Sequence, residues 1–140
     1  MSDMGAEVIR VDHLEDKVSV DPEDRLFNRG KKSITLELMS EKGSKFLNEL
    51  VKSSVLLIHT WLAKEAKSAF LDYDNISNMN ESLIYCSIPP YGDSGPMADI
   101  PGDDGTVAAF TGIHEGQGGE TGTPLFVRLP LVSYGTAFTA

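Results

Sequence analysis

The sequence predicts an α/β fold: a mostly parallel sheet with flanking helices. Four strand-length apolar runs occur between the first residues and Ile88, and helical patterns separate the later runs. Strands that alternate with helices are typical of a parallel sheet with right-handed crossovers. The chain has 140 residues, which is enough for about one domain with a modest core.

The predicted strands are rich in Val, Ile, Leu or Tyr. They are the runs Ala6–Val11, Ser33–Leu38, Ser54–Thr60 and Ser82–Ile88. Two of these runs are almost continuously apolar, which predicts strands that are buried on both faces of the sheet.

Helical periodicity predicts three helices between the later strands. From Ser40 to Lys52 the apolar residues fall on one helical face, and Ser40 is the expected N-cap. A second pattern runs from about Leu62 to Phe70. A third, shorter pattern runs from Tyr73 to Met79.

The composition changes after Ile88. The stretch "PPYGDSGPMADIPGDDG" is dense in Pro, Gly and Asp and predicts a loop. We expect "TVAAFTGI" to form a short buried helix and "HEGQGGETGTP" to form a flexible glycine-rich loop. "LFVRLPLV" is typical of a strand interrupted by Pro130, and "SYGTAFTA" of the start of a helix.

Charge and composition exclude several functions. The formal net charge is -9, with 21 acidic against 12 basic residues, and no basic stripe is visible. This argues against binding to nucleic acid or to anionic lipid. No apolar run approaches the ~20 residues of a membrane span, and the first residues do not resemble a signal peptide.

The single cysteine and the three histidines carry no evident site. Cys86 lies in an apolar run, so a buried structural thiol is favoured over a reactive thiol, and a cytoplasmic setting is expected. His13, His59 and His114 are far apart and lack a second ligand at metal-binding spacing, so no metal site is expected.

Three stretches together resemble the class III CoA-transferase family, also called the CaiB/BaiF family. They are "DMGAEVIRVD", "FNRGKKSITLEL" and "LIYCSI" followed by "YGDSGPMADIPG". Family members typically read L-G-A-E-V-I-K-V-E, then N-R-G-K-R-S-x-x-L-D-L, then L-I-Y-x-S-x-x-G-[FY]-G-x-x-G-P-x-x-x-x-P-G-Y-D. The order and the spacing agree over nearly the whole chain.

The resemblance implies a Rossmann-like α/β domain that is incomplete. Residues 1–140 would be a fragment of the family's N-terminal domain, without its first strand and first helix and without the second domain. The apolar, uncapped last residues agree with this expectation. The family's subunits form interlocked homodimers, so an isolated fragment is expected to expose surface that the whole protein buries.

The resemblance also implies a reaction, the transfer of CoA from a thioester to a carboxylic acid, with no permanently bound cofactor. A family aspartate, in a pattern like P-x-A-D-x-x-[TS]-G, forms a mixed anhydride and then an aspartyl-CoA thioester. The matching stretch is "PLVSYGTA", and Ser133 occupies the nucleophile position. A serine ester could not form the anhydride. A local misalignment is the alternative, although no Asp or Glu follows Thr121.

A racemase activity, also found in the family, is disfavoured more strongly. The α-methylacyl-CoA racemases use a His in a G-H-D stretch together with the aspartate at the nucleophile position. Here the G-H-D stretch is "GDD" (Gly102–Asp104), so Asp103 replaces the His. Both members of the acid/base pair are therefore missing.

The family's CoA-binding positions carry over unevenly. His13 replaces a basic side chain after the first strand, and Leu36 matches an apolar position of the next strand. Thr60 and Trp61 replace the Asn-Phe pair after the third strand, and the Trp61 ring could cover an adenine. Ser68 replaces an Arg, although Lys64 and Lys67 are close. The alternative for Trp61 is a core residue, and for His13 a solvated loop residue.

The basic turn before the second strand has two interpretations. Lys31 and Lys32 either lie near the CoA phosphates or only hold the turn. Two functions also remain. The chain is a segment of a CoA-transferase that acts on an acyl-CoA and a carboxylic acid, or a non-catalytic half that binds CoA esters or scaffolds an active partner.

Overall fold

The computed structural model describes residues 1–14 and 22–140. The chain divides into two compact units, Met1–Leu50 and Val51–Ala140. The fold is mixed α/β, and its strands form two parallel pairs with flanking helices, as the sequence predicts.

The first unit contains one parallel strand pair. A 3₁₀ turn at Ser2–Met4 precedes β1 (Ile9–His13), and α1 (Pro22–Phe27) lies between β1 and β2 (Lys32–Leu36). The register pairs Ile9 with Lys32 and His13 with Leu36. The two strands therefore begin and end side by side. The sequence predicted both strands, but neither the 3₁₀ turn nor α1.

Helix α2 (Glu41–Ser53) begins where the sequence predicts. The Ser40 hydroxyl accepts the N–H of Gly43 at 3.0 Å and donates to the carbonyl of Glu37 at 2.7 Å, which confirms Ser40 as the N-cap. A Cβ added to Gly43 would lie 2.0 Å from the carbonyl oxygen of Glu37. The tight β2–α2 connection therefore requires glycine at position 43.

The second unit contains the other parallel pair. It comprises β3 (Leu56–His59), α3 (Ala63–Ser68), α4 (Tyr73–Met79) and β4 (Ile84–Ser87). Leu56 pairs with Ile84, so both strands again end at the same edge. All four elements were predicted, with bounds that differ by three residues or fewer.

The prediction that the two most apolar strands, β3 and β4, are buried on both faces was wrong. Ile58 of β3 is 44% exposed and Ile84 of β4 is 66% exposed. Each strand has one hydrogen-bonded neighbour within the described residues, so the pair forms too narrow a sheet to be covered on both faces. The core lies instead under the connecting helices and includes Leu71 and Ile76, each 1% exposed.

The last part of the chain is helical. It contains α5 (Asp104–Phe110), α6 (Ile113–Gln117), a 3₁₀ turn at Gly119–Thr121 and α7 (Leu131–Thr139). The loop predicted before α5 and the helix predicted at the C-terminal end are confirmed, although α7 begins two residues earlier than "SYGTAFTA".

Three predictions for this part need correction. The helix predicted over "TVAAFTGI" exists as α5, but only partly buried: Ala108 is 2% exposed and Phe110 is 65% exposed. The predicted glycine-rich loop contains α6, because most of its glycines flank the helix rather than interrupt it. The predicted strand "LFVRLPLV" has no regular secondary structure up to Pro130, and its last two residues begin α7. Its Leu125 N–H donates to the carbonyl of His114 rather than to a strand.

Within residues 1–14 and 22–140, no helix has the length and apolar character needed to cross a membrane. The same residues contain no cluster of three or more His, Cys, Asp or Glu side chains placed to hold a metal ion. Cys86 is half-buried, less covered than a core thiol.

Candidate functional site

His13 and Leu36 lie next to each other at the carboxyl edge of the first strand pair. They are register partners at the last positions of β1 and β2, and both side chains are half-buried. The chain leaves both strands at this edge. Ligands of α/β proteins commonly bind at the carboxyl ends of parallel strands. The structure thus brings together two of the three predicted positions of this unit.

Lys31 lies at the opposite end of the same strand pair. It precedes Lys32, the first residue of β2, and Leu36 lies four positions further along the strand, roughly 13 Å away. The Lys31 ammonium donates to the Asn28 side chain at 2.9 Å. The structure therefore does not bring Lys31 to His13 and Leu36, and its role in CoA binding stays a prediction.

The other cations of the basic turn bind carboxylates near the N-terminus. Lys32 donates to Glu7 at 2.8 Å, and Arg29 forms an ion pair with Asp3. The hydrogen bond and the charge of Lys32 lower the pKa of Glu7, and Arg29 lowers the pKa of Asp3 mainly through its hydrogen bonds. These contacts favour the interpretation that the turn is held by its own ion pairs.

Thr60 and Trp61 follow β3 at the carboxyl edge of the second strand pair, and the buried His59 anchors them. The N–H of Trp61 donates to Nδ1 of His59 at 3.3 Å. Nε2 of His59 lies 2.6 Å from the Tyr85 hydroxyl, which donates to the carbonyl of Leu71 at 2.9 Å. Thr60 is exposed and Trp61 half-buried.

Burial keeps the His59 imidazole and the Tyr85 hydroxyl neutral. His59 is 8% exposed, and burial lowers the pKa of its imidazole, an effect that the charge of Asp93 opposes. Burial, with smaller contributions from Asp93 and Asp72, raises the pKa of Tyr85 to about 12. Both rings are therefore uncharged near neutral pH. No local pattern predicts this contact, because His59 and Tyr85 are 26 residues apart.

The side chains around Trp61 show how the predicted CoA-binding positions are used. The rings of Trp61 and His59 have centroids 5.6 Å apart, at 35°. Ser68, in place of the family's Arg, donates its hydroxyl to the carbonyl of Lys64 within α3. The Lys64 ammonium donates to the carbonyl of Asp99 at 3.3 Å. Lys64 is thus tied to the loop after β4.

The loop after β4 forms one wall of an apolar groove. Ser87, the last residue of β4, donates its hydroxyl to Asp93 at 2.9 Å, and Tyr91 packs edge-on against Phe110 of α5. The groove has a volume of 320 Å³. It is lined by residues of the loop and of α5, namely Pro90, Tyr91, Ser94, Pro96, Met97, Val107, Phe110 and Thr111.

Ser133 lies exposed in the first turn of α7, directly after the Pro130 segment. Its backbone N–H donates to Oδ2 of Asp104 at 2.6 Å. Pro130 provides no side-chain cap, so the Asp104 carboxylate satisfies one of the N–H groups at the start of the helix. Asp104 precedes Ser133 by 29 positions, so the residues around Ser133 do not predict this carboxylate.

Asp103 caps the neighbouring helix. Its carboxylate accepts the N–H of Thr106 at 2.8 Å, and the Thr106 hydroxyl accepts the N–H of Asp103 at 2.8 Å. The hydrogen bonds from the Thr106 backbone and hydroxyl lower the pKa of Asp103. The residue at the racemase histidine position is therefore a helix cap. Its lowered pKa makes it a weak base, unsuited to abstract a proton.

The chain is thus an α/β protein whose predicted site residues, apart from Lys31, lie at or directly after the carboxyl ends of parallel strands. The sequence model of CoA-transferase family III matches residues 1–140, and the chain belongs to that family.

Curated relatives share moderate identity with the chain. It is 31% identical over 142 residues to a succinate–glutarate CoA-transferase of Agrobacterium fabrum, an alignment that covers 89% of this chain and 36% of the relative. It is 37% identical over 98 residues to a cinnamoyl-CoA:phenyllactate CoA-transferase of Clostridium sporogenes, covering 70% of this chain and 24% of the relative.

Solved structures share the fold. A single-substitution mutant of Rv3272 from Mycobacterium tuberculosis superimposes with a TM-score of 0.84 at 29% identity, over 98% of this chain and 40% of the other. A CaiB/BaiF family protein from Brucella suis superimposes with a TM-score of 0.80 at 26% identity, over 98% and 43%. The chain thus spans well under half the length of these proteins.

Proposed function

We propose that this chain is the CoA-ester-binding part of a cytoplasmic CoA-transferase family III protein that moves CoA between an acyl-CoA and a carboxylic acid. In this proposal, residues 1–140 belong to the family's N-terminal α/β domain, and the whole protein is an interlocked homodimer. The activities for which these relatives are named, which pair small acids or their CoA esters, support this substrate class.

Ser133 carries the proposal that this segment binds the ester without supplying the nucleophile. It stands in the first turn of α7, where the family resemblance expects an aspartate. A hydroxyl group can become an ester, but it cannot form the mixed anhydride from which CoA returns to an acid. His13, Leu36, Thr60 and Trp61 are the residues that we propose to contact CoA.

Asp104 supports a second candidate, in which the segment remains catalytic. Its carboxylate lies 2.6 Å from the Ser133 N–H, beside the nucleophile position. In that case Asp104 would attack the thioester carbonyl and expel CoA thiolate, giving a mixed anhydride. The thiolate would then attack the aspartyl carbonyl, releasing the donor's carboxylate and leaving an aspartyl-CoA thioester.

A capping role for Asp104 is the better supported of its two roles. Asp104 matches the last residue of the family's P-G-Y-D stretch, which family members carry together with the nucleophilic aspartate. Its carboxylate also already accepts the Ser133 N–H. A carboxylate engaged as a helix cap is a weaker nucleophile than one that is held only by its substrate.

Equilibrium titration with CoA and with a short acyl-CoA tests the binding proposal. We expect saturable binding that weakens roughly tenfold or more in Trp61→Ala, because a stacked base is worth about 1–3 kcal/mol. The matched control Phe138→Ala removes an aromatic ring that is 91% exposed in α7, and it should bind normally. Absence of binding to the folded protein would contradict the proposal.

Mass spectrometry separates the two candidates. The protein is incubated with acyl-CoA, then treated with hydroxylamine, which converts an aspartyl thioester or anhydride to a hydroxamate. We expect no modification of Ser133 or Asp104. A hydroxamate that maps to Asp104 and disappears in Asp104→Asn would establish the catalytic candidate instead.

A further inference from the structure

We propose that His59 is a positioning residue whose neutral ring holds the Thr60–Trp61 segment, and whose protonation releases that segment and weakens CoA-ester binding. The proposal rests on the proposed function only for its effect on CoA. Its structural part concerns a buried ring at the end of β3, which contacts the Trp61 backbone on one side and Tyr85 on the other.

The hydrogen bonds specify one form of the His59 ring. Nδ1 accepts the N–H of Trp61, so this nitrogen carries a lone pair and no hydrogen. In the neutral imidazole, Nε2 then carries the hydrogen and donates to the Tyr85 hydroxyl at 2.6 Å. The Tyr85 hydroxyl in turn donates a hydrogen bond to the Leu71 carbonyl. The Trp61 N–H, the His59 ring and the Tyr85 hydroxyl therefore each donate to an acceptor.

Protonation of His59 disrupts one of these contacts. The second proton must occupy Nδ1, where it would point at the N–H of Trp61, and two donors would then face each other. The contact with Tyr85 survives, because Nε2 remains a donor in the charged ring. Protonation therefore removes only the hydrogen bond from the Trp61 N–H, at the point where the polypeptide leaves β3.

Ionisable groups from four segments face the hydrogen bonds of His59 and Tyr85, and one of them, Tyr73 of α4, packs edge-on against the Tyr85 ring with centroids 5.8 Å apart. Tyr85 of β4 contacts the ring directly. Asp93, in the loop after β4, favours the protonated ring through its charge, and Ser87 holds its carboxylate. The charge of Asp72, the residue before α4, contributes to the raised pKa of Tyr85. Burial of His59 outweighs the effect of Asp93 and lowers the pKa of the ring, so the ring is neutral near neutral pH and takes up its proton at a lower pH than an unperturbed histidine.

Trp61 offers a direct spectroscopic test, because it is the only tryptophan of the chain. Its emission is recorded from about pH 7.5 to about pH 5, the range in which a histidine titrates. We expect a transition in the unsubstituted protein that is absent in His59→Asn, whose amide oxygen still accepts the Trp61 N–H but does not titrate. The control His114→Asn should keep the transition.

Binding measurements complete the test. At about pH 7.5, His59→Asn should bind CoA within about twofold of the unsubstituted protein, and His59→Leu, which has no acceptor, about five- to tenfold more weakly. At about pH 5 the unsubstituted protein should lose affinity relative to His59→Asn. Equal pH dependence in the two proteins would overturn the proposal, as would normal binding by His59→Leu.

Two further outcomes are separable. If no variant and no unsubstituted protein binds CoA, the proposed function fails, while the Trp61 transition still judges the positioning role. If the substitutions at His59 prevent folding, nitrogen NMR of the unsubstituted ring decides. We expect a neutral ring with the hydrogen on Nε2, and a midpoint shared with the Trp61 amide signal. A hydrogen on Nδ1, or different midpoints, would overturn the inference.

Discussion

The carboxylate of Asp104 accepts the backbone N–H of Ser133 at 2.6 Å. The first turn of α5 therefore caps the first turn of α7, and the residue at the nucleophile position is fixed by a carboxylate 29 positions earlier. This link joins two helices that no local sequence pattern connects. It places a negative charge beside a serine where the family resemblance expects a negatively charged residue.

Removal of the Asp104 cap should destabilise α7. Asp104→Ala is expected to lower the free energy of unfolding by about 1 kcal/mol, because the Ser133 N–H loses its acceptor. Asp104→Asn should cost less, because it keeps an oxygen. Urea unfolding followed by circular dichroism measures both, with the exposed Asp99→Ala as the control. Equal midpoints for Asp104→Ala and Asp99→Ala would show that the contact contributes nothing.

Gly43 and Gly116 should respond oppositely to the same substitution. Gly43→Ala places a Cβ 2.0 Å from the Glu37 carbonyl oxygen, so the β2–α2 connection must shift, at an expected cost of about 1–3 kcal/mol. Around a Cβ at Gly116 no atom lies within 4 Å. Gly116→Ala should therefore be neutral or stabilise α6 by up to about 1 kcal/mol. Thermal unfolding compares the pair, and a Gly43→Ala protein as stable as the parent would contradict the geometry.

Asn80 should be a stability determinant of the second unit. Its amide donates to the carbonyls of Val51 and Ser54 at 3.1 and 2.9 Å, and its oxygen accepts the hydroxyl of Ser82 at 2.8 Å. Asn80→Ala removes these hydrogen bonds, of which the two to the Val51 and Ser54 carbonyls are half-buried, at an expected cost of about 1–3 kcal/mol. Asn78→Ala, an exposed position on α4, is the matched control. Similar unfolding midpoints for the two variants would refute this role.

Stability should fall as the pH drops below about 6.5. Burial lowers the pKa of His59 in the folded protein, so in this window the unfolded chain binds more protons than the folded one. Stability that His59 contributes is therefore complete above the unfolded pKa and is lost as the pH falls towards the folded pKa. Unfolding measured at intervals between about pH 7.5 and pH 5 should show this slope, and His59→Asn should flatten it. An unchanged slope in His59→Asn would assign the effect to other groups.

Local signals predicted much of the fold. The apolar runs identified all four strands, and the Ser40 cap and the apolar face identified α2, because these depend on neighbours in sequence. "LFVRLPLV" shows the limit. Its apolar pattern is typical of a strand, yet pairing needs a partner, and Leu125 finds the carbonyl of His114 instead. Alternation predicts which face is buried but does not predict which segment lies alongside.

The candidate site was predictable only where a motif or a strand end located it. His13 and Leu36 are register partners because each ends its strand. Lys31 resembles a family position equally well, yet it lies at the other end of β2. The contacts of Ser133 with Asp104 and of His59 with Tyr85 join residues more than 25 positions apart. Such contacts follow from tertiary packing, which a single sequence does not reveal.

The central claim is that the chain binds a CoA ester while Ser133 supplies no covalent nucleophile. Peptide mapping of the protein after incubation with a saturating acyl-CoA tests it most directly, with bound ester quantified in the same sample. We expect occupancy by acyl-CoA and an unmodified peptide that contains Ser133. An acyl or CoA adduct on Ser133, or an empty protein at saturating ester, would contradict it.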